Sequence, residues 1–149
     1  MNGIVRLQFV SAILGMADTA YLAFEHLQGQ VPSCTIGTAC EKVLTSQYAE
    51  VFGIPLALAG FAYYLTLALA AVFFLKRPAL LSLLLLGALP FLGFLFSLWL
   101  LWLQAFVIGA YCVYCLISLA LSFCLFLLGL LLLRSVGYHK GIWKRFLAK

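Results

Sequence analysis

The sequence predicts an all-α membrane protein, a four-transmembrane-helix bundle with a short amphipathic lid helix in its first outer loop. Three observations carry this. First, of 149 residues 66% are hydrophobic and 9% charged, whereas an average soluble domain is roughly 25% charged and 45–50% apolar. Second, apolar runs reach or exceed the roughly 20 residues that a spanning helix needs. Third, the Lys and Arg residues gather at the ends of these runs, almost all on one side. A soluble domain of about this size still exposes roughly 30% of its chain surface. The composition therefore excludes a soluble globular enzyme and a disordered tail. The net charge of +5 does not indicate a nucleic-acid binder, because the basic residues form no patch beside stacking aromatics. No alternating barrel pattern is present, and lipid cannot satisfy open backbone, so the spans are helices. The length fits one membrane domain over 1–149.

The first span runs from Leu7 to Phe24 with Asp18 as its only charge. With Arg6 ahead of it, the start resembles a signal peptide. Asp18, Tyr21, Phe24 and Glu25 make a poor cleavage region, so the segment is expected to stay as a span. A long loop follows, Leu27 to Phe52. Within it Val43, Leu44, Tyr48, Val51 and Phe52 recur at helical spacing, which predicts a short amphipathic helix between Cys40 and Phe52 lying against the membrane and capping the bundle. Pro55 sits where a first-turn proline is tolerated and opens the second span, Ile54 to Leu75. From Pro78 to Leu133 there is no charge over 56 residues. As one helix this run would be roughly 84 Å long against a hydrocarbon core of about 30 Å, so it folds back once. The break is placed near Ile108-Gly109-Ala110-Tyr111, giving spans three and four.

Orientation follows from the basic residues. Arg6, Lys76, Arg77, Arg134, Lys140, Lys144, Arg145 and Lys149 fall on one side and Lys42 on the other. This predicts a multi-pass protein of the cell (inner) membrane with both termini cytoplasmic. The basic tail then serves as a topology anchor touching anionic headgroups.

Four of the five cysteines, Cys34, Cys40, Cys112 and Cys115, lie on or near the outer side, where disulfides form and persist. Cys112-Val113-Tyr114-Cys115 is a C-x-x-C at the start of span four. Residues three apart share a helix face, and the helix N-terminus stabilises a thiolate, the reactive form. Packing cysteines are the plainer reading of such a pair, and zinc held by Cys34, Cys40, Cys112 and Cys115 is another. Between Cys34 and Cys40, Gly37 permits a bend that lets the two approach, whether as a static loop staple or as a working pair. Two dithiol pairs on one membrane face suggest a relay. The loop pair takes electrons from a soluble partner and hands them to the pair at the bundle mouth by thiol–disulfide exchange. No haem or iron–sulfur ligation pattern is present, which leaves a lipid-soluble quinone as the natural acceptor. Cys124, deeper in span four, reads as packing.

The chain resembles the bacterial and archaeal homologues of vitamin K epoxide reductase over nearly its whole length. The resemblance rests on Gly15 and Asp18-Thr19-Ala20-Tyr21-Leu22, on Cys34 through Cys40, on Val43, Ser46, Tyr48 and Phe52-Gly53-Ile54-Pro55, and on Tyr111-Cys112-Val113-Tyr114-Cys115-Leu116. The bacterial disulfide-bond protein B is also a four-helix quinone reductase, but its C-x-x-C lies in the first outer loop. The resemblance implies catalytic roles for Cys34, Cys40, Cys112 and Cys115. A separate secreted thioredoxin-like disulfide oxidoreductase would donate electrons to Cys34 and Cys40. Cys40 would form a transient mixed disulfide with Cys112, and Cys115 would face a ubiquinone or menaquinone. It also implies that Ser46 polarises a quinone oxygen, or else bonds to backbone, and that Phe52 covers the ring, or else packs the lid. Leu119 stands where vertebrate members have a tyrosine, and the only asparagine is Asn2. Both departures point away from epoxide reduction and toward quinone reduction coupled to disulfide formation.

Three polar residues in or near the spans remain. A central Asp18 would cost about 2.5–3.5 kcal/mol on insertion scales, which invites a proton relay. A contact with Ser97, Gln104 or Thr66 is the simpler reading. Gln104 can donate to a quinone carbonyl or tie helices together. His26 reads as interfacial. The function expected is a membrane thiol oxidase that reduces a quinone and supports disulfide formation, with no metal and no nucleic acid. The alternative is a disulfide-stapled, non-catalytic membrane subunit or carrier.

Overall fold

The computed structural model describes residues 1–30, 39–51 and 53–138. Its elements are α1 (Asn2–Leu27), α2 (Ala39–Leu44), a ribbon of β1 (Glu50–Val51) and β2 (Ile54–Pro55), α3 (Leu56–Lys76), α4 (Leu80–Trp102), a π-helical turn (Leu103–Ile108) and α5 (Val113–Tyr138). Among the described residues four helices are long and apolar enough to cross a membrane: α1, α3, α4 with its π-turn, and α5. The protein is therefore a multi-pass membrane protein of four spans, and the break between the last two falls where the charge-free run had to fold back.

The helices form a ring in which α1 packs on α3 and α5, and α4 packs on α5 and α3. The outside of the ring is apolar, as lipid requires; Phe106, for example, is 77% exposed. The inside is built from buried Tyr64, Leu67, Leu83, Leu86, Leu125 and Leu132. Small residues set the close contacts, as is usual where lipid gives no hydrophobic drive for helix association. A Cβ on Gly15 of α1 would overlap the Tyr64 ring of α3, and one on Gly129 of α5 would lie 3.0 Å from the Leu86 carbonyl oxygen of α4.

Several polar groups within the ring close on one another. Pro90 lies inside α4. Its missing N–H leaves the carbonyl of Leu86, four residues earlier, without its helical donor. Gln8 of α1 supplies the replacement, with Nε2 donating to Leu86 O at 2.9 Å across the ring. Tyr64 crosses the other diagonal. Its hydroxyl lies 2.9 Å from Ser118 Oγ and 3.2 Å from Ser122 Oγ of α5, and Ser97 of α4 donates to Ser122 Oγ at 3.2 Å.

The lid helix is present but shorter than the apolar spacing suggests. It ends at Leu44 because the chain bonds back on itself there. Thr45 Oγ1 donates to Glu41 O at 2.7 Å and Ser46 Oγ to Val43 O at 2.7 Å, which offers the backbone an alternative to continuing the helix. A turn then leads into the two-residue ribbon, Glu50 opposite Pro55 and Val51 opposite Ile54. Gly53 sits between its strands at φ +76°, a conformation glycine adopts without cost. Pro55 is the residue just ahead of α3, which starts at Leu56.

The Gln8–Leu86 bond generates a test. Gln8→Ala should destabilise the bundle by about 0.6–1.7 kcal/mol, the range of interhelical hydrogen bonds in membranes. In a Pro90→Ala background the same change should cost less, because the helix can then satisfy Leu86 itself. A double-mutant cycle of detergent-induced unfolding, followed by circular dichroism, reads the difference.

Candidate active site

The site is assembled where α4 turns into α5. The π-turn Leu103–Ile108 ends in Gly109, whose left-handed φ of +65° closes the helix. Single π-turns of this kind recur at functional sites. This turn sets both the backbone and the side chain of Gln104 against the loop that follows. Ala110 N–H donates to Gln104 O at 3.1 Å, and Cys112 N–H donates to Gln104 Oε1 at 2.9 Å in a buried bond. Cys112 itself heads α5, its carbonyl accepting from Leu116 N–H at 3.1 Å. The C-x-x-C thus begins on the last residue before the helix and ends within its first turn, as its position in the sequence predicts.

Cys112 and Cys115 are free thiols. The Cys115 thiol hydrogen-bonds Cys112 and is the main reason that the Cys112 thiol is lowered from its usual value to about 7. Burial opposes this, and the backbone N–H groups of Cys115 and Tyr114 assist it. A thiol so placed is ionised to a large extent near neutrality.

Cys40, on α2, is disulfide-bonded. It is also buried in one apolar cluster with Val43, Ala110 and Cys112, against which Leu44, Ile108, Tyr114 and Cys115 pack. The lid helix and the C-x-x-C turn, some 70 residues apart in sequence, therefore share one core. Cys34 and Phe52 lie outside the described residues, as does the basic tail beyond Tyr138.

Behind this cluster is a cavity of about 350 Å³ lined by the four spans, α2 and the ribbon. Its wall is mostly apolar, from Leu22, Val43, Leu44, Leu56, Leu89, Leu92, Phe96 and Ile108. Its polar residues are Asp18, Thr19, His26, Ser46, Tyr48, Tyr63, Tyr64, Ser97, Gln104, Cys115, Ser118 and Ser122. Ser46 and Gln104 are both on this wall, as is Cys115, whereas Cys112 is not among the lining residues. The Ser46 hydroxyl proton is engaged by the Val43 carbonyl, so toward the cavity its oxygen can accept but not donate. Gln104 spends its carbonyl on Cys112 and keeps its amide N–H groups as the donor end. His26 is paired with Glu50 at 2.9 Å, which ties the end of α1 to the ribbon beside the cavity.

Two readings change. The simpler account of Asp18, a contact with Ser97, Gln104 or Thr66, does not hold. Ser97 is bonded to Ser122, Gln104 to Cys112 and Thr66 to the Ala62 carbonyl, while Asp18 Oδ2 is buried with no partner. The α3 tyrosines Tyr63 and Tyr64, not among the sequence candidates, also line the cavity. Their signal was Gly15 and Gly93 on the neighbouring helices, where a Cβ would overlap the Tyr64 ring and the Tyr63 hydroxyl respectively. Among the described residues no group of three or more His, Cys, Asp or Glu could hold a metal ion.

Residues 6–130 match the vitamin K epoxide reductase family. The chain belongs to that family. It is also similar to the Thiol-disulfide oxidoreductase LTO1 of Arabidopsis thaliana, 36% identical over 121 residues, covering 76% of this chain and 32% of the plant protein. The chain thus spans about a third of the length of that relative.

The Cys112 environment generates a pH test. Ionisation of Cys112 rises as pH rises through its value, so alkylation of the free thiol by iodoacetamide should have its midpoint at about 7. Cys115→Ala removes the main stabilising hydrogen bond and should move the midpoint upward. Gln104→Ala frees the N–H of Cys112 and loosens the turn; it should slow or broaden the profile without abolishing the reaction. Mass spectrometry of labelled peptides distinguishes Cys112 from the other thiols.

Proposed function

We propose that this protein is a membrane thiol oxidase. It takes electrons from a separate secreted thioredoxin-like protein through Cys34 and Cys40, passes them to Cys112 and Cys115, and reduces a quinone, ubiquinone or menaquinone, so sustaining disulfide formation outside the cell. The observation that carries this reading is the burial of Cys40 in one cluster with Cys112 and Cys115, with Cys115 also on the wall of the cavity. A relay needs the first pair beside the second and the second beside the acceptor, and these three sulfurs meet that order.

The chemistry runs as exchange. The reduced partner's thiolate attacks the loop disulfide and leaves Cys34 and Cys40 as thiols. Cys40 then attacks Cys112 of a Cys112–Cys115 disulfide, forming the mixed disulfide and releasing Cys115. Cys34 displaces Cys112 and restores the loop disulfide. Free Cys112 and Cys115 beside a disulfide-bonded Cys40 correspond to the point at which the second pair holds two electrons.

The cavity fits the acceptor proposed. Its volume is within the range of small-molecule sites, which are mostly apolar with a few polar groups, and two of its polar atoms, Asp18 Oδ2 and Tyr63 OH, are unpaired within the protein. A bound quinone supplies the capacity to take two electrons and two protons. Cys115 would meet it, the Gln104 amide would donate to it, and Val43 and Leu44 of the lid would exclude water. Phe52 is assigned to the lid on the family resemblance. The distribution of basic residues supports both termini in the cytoplasm of a cell with the site on the outer face of its inner membrane.

The test uses purified full-length protein, a reduced thioredoxin-like donor and a short-chain ubiquinone, with quinone absorbance as the readout. Absorbance should fall on adding donor, and Cys112→Ser or Cys115→Ser should each abolish the change. Unchanged turnover in both variants contradicts the proposal. No turnover in the wild type, with cysteines in fixed redox states, would instead indicate a disulfide-stapled structural module.

A further inference from the structure

Most side-chain hydroxyls in the spans have partners inside the bundle. Thr19 donates to Gly15 O, Thr66 to Ala62 O and Ser97 to Ser122, and Tyr64 meets Ser118 and Ser122. Against this, Asp18 Oδ2 and Tyr63 OH are buried without a partner, and both line the cavity. They come from α1 and α3, the two helices that face each other there. Tyr63 cannot turn its hydroxyl further toward α4, because it already fills the space beside Gly93. Asp18 is within electrostatic reach of Cys112, Cys115 and Tyr64. An unpaired buried polar atom is costly unless a ligand completes it, and two such atoms on one cavity wall mark the place where it does so.

The charge environment narrows the role. The other titratable groups on the cavity wall are Tyr63 and Tyr64 from α3, Cys115 from α5, Tyr48 near the ribbon and His26, whose ring is held by Glu50; α4 and its π-turn contribute none. Among the described residues no Lys or Arg lines the cavity to neutralise a carboxylate at position 18. An ionised Asp18 would also oppose a thiolate at Cys112. A neutral carboxyl, with its proton available to a ligand oxygen, suits both constraints.

We propose that Asp18 is the proton donor to the acceptor in this cavity, with the Tyr63 hydroxyl as a second hydrogen-bond donor to it. This rests on the reading of the cavity as a quinone site. The step balances. As the Cys112–Cys115 disulfide forms from the Cys112 thiolate and the Cys115 thiol, the pair gives up two electrons and one proton. The Asp18 carboxyl delivers one proton to a carbonyl oxygen of the acceptor, and the Cys115 proton completes the reduced product. Asp18 is reprotonated from water by the equivalent of the proton that Cys112 released on ionising, and ends as it began.

The experiment uses the full chain in lipid nanodiscs and a short-chain ubiquinone. Infrared difference spectra, with and without the quinone and with no electron donor present, should show a protonated-carboxyl C=O band that shifts on binding and is missing in Asp18→Asn. In turnover, Asp18→Asn should lose about a hundredfold in the rate of quinone reduction, the usual scale for a positioned acid. Asp18→Glu should recover most of that loss. Reduction of the Cys40 disulfide by a reduced thioredoxin should proceed at the wild-type rate in both variants. A wild-type spectrum without a quinone-responsive carboxyl band overturns the inference whether or not the variants fold. So does an Asp18→Asn rate within about twofold of wild type, an outcome that leaves the quinone reading intact. Wild-type protein that transfers no electrons to quinone overturns that reading, and this inference with it.

Discussion

Lipid offers no hydrogen bonds, so each polar group carried into the spans must find its partner inside the ring of helices or face whatever fills it. The arrangement of this protein follows from that constraint. Gln8 reaches across the ring to the carbonyl that Pro90 leaves open. Tyr64 crosses the other way to the serines of α5. Gln104 closes the turn between α4 and α5 by accepting the N–H of Cys112. Each of these bonds joins elements that apolar packing alone would allow to slide. What remains unpaired on the cavity wall, Asp18 Oδ2 and Tyr63 OH, marks the site from the inside.

The same constraint explains where the reactive sulfurs sit. A helix start is one of the few places near a membrane span where backbone N–H groups are free to stabilise an anion. Placing Cys112 at that start, with Cys115 one turn inward, puts an acidified thiol at the rim and its partner on the cavity wall. The lid helix completes the enclosure by burying Cys40 in the same cluster. Val43, Leu44 and Ile108 pack around these sulfurs in the same cluster. Packing and the proposed chemistry are coupled here: a change that loosens the lid also separates Cys40 from Cys112 and Cys115.

Much of this was legible in the sequence. A charge-free run twice the length of a span has to fold back, and the only glycine near its middle that is followed by polar-tolerant residues is Gly109, where the turn lies. The C-x-x-C immediately after it could be placed at a helix start for the same reason. The length of the lid helix was not legible, because its end is set by Thr45 and Ser46 turning their hydroxyls back on Glu41 and Val43, a local choice that apolar spacing does not record. Nor were the partner of Gln8 and the lack of one for Asp18. These depend on how the helices are arranged in the ring, and a contact such as Gln8 to Leu86, 78 residues apart, leaves no periodic trace. Ser97 and Thr66, reasonable partners for Asp18 by depth, are taken by nearer groups, and Gln104, engaged through its carbonyl, makes no bond to Asp18.

The convergence of Cys40 with the C-x-x-C supports everything proposed for this protein, and cross-linking tests it without any donor or acceptor. In the double variant Cys34→Ser, Cys115→Ser, which keeps Cys40, Cys112 and Cys124, Cys40 and Cys112 should link to each other on mild oxidation in intact membranes. Peptide mass spectrometry should then find a Cys40–Cys112 disulfide in most molecules. Two thiols that stay unlinked and are alkylated independently, or that link only between separate chains, would contradict the account.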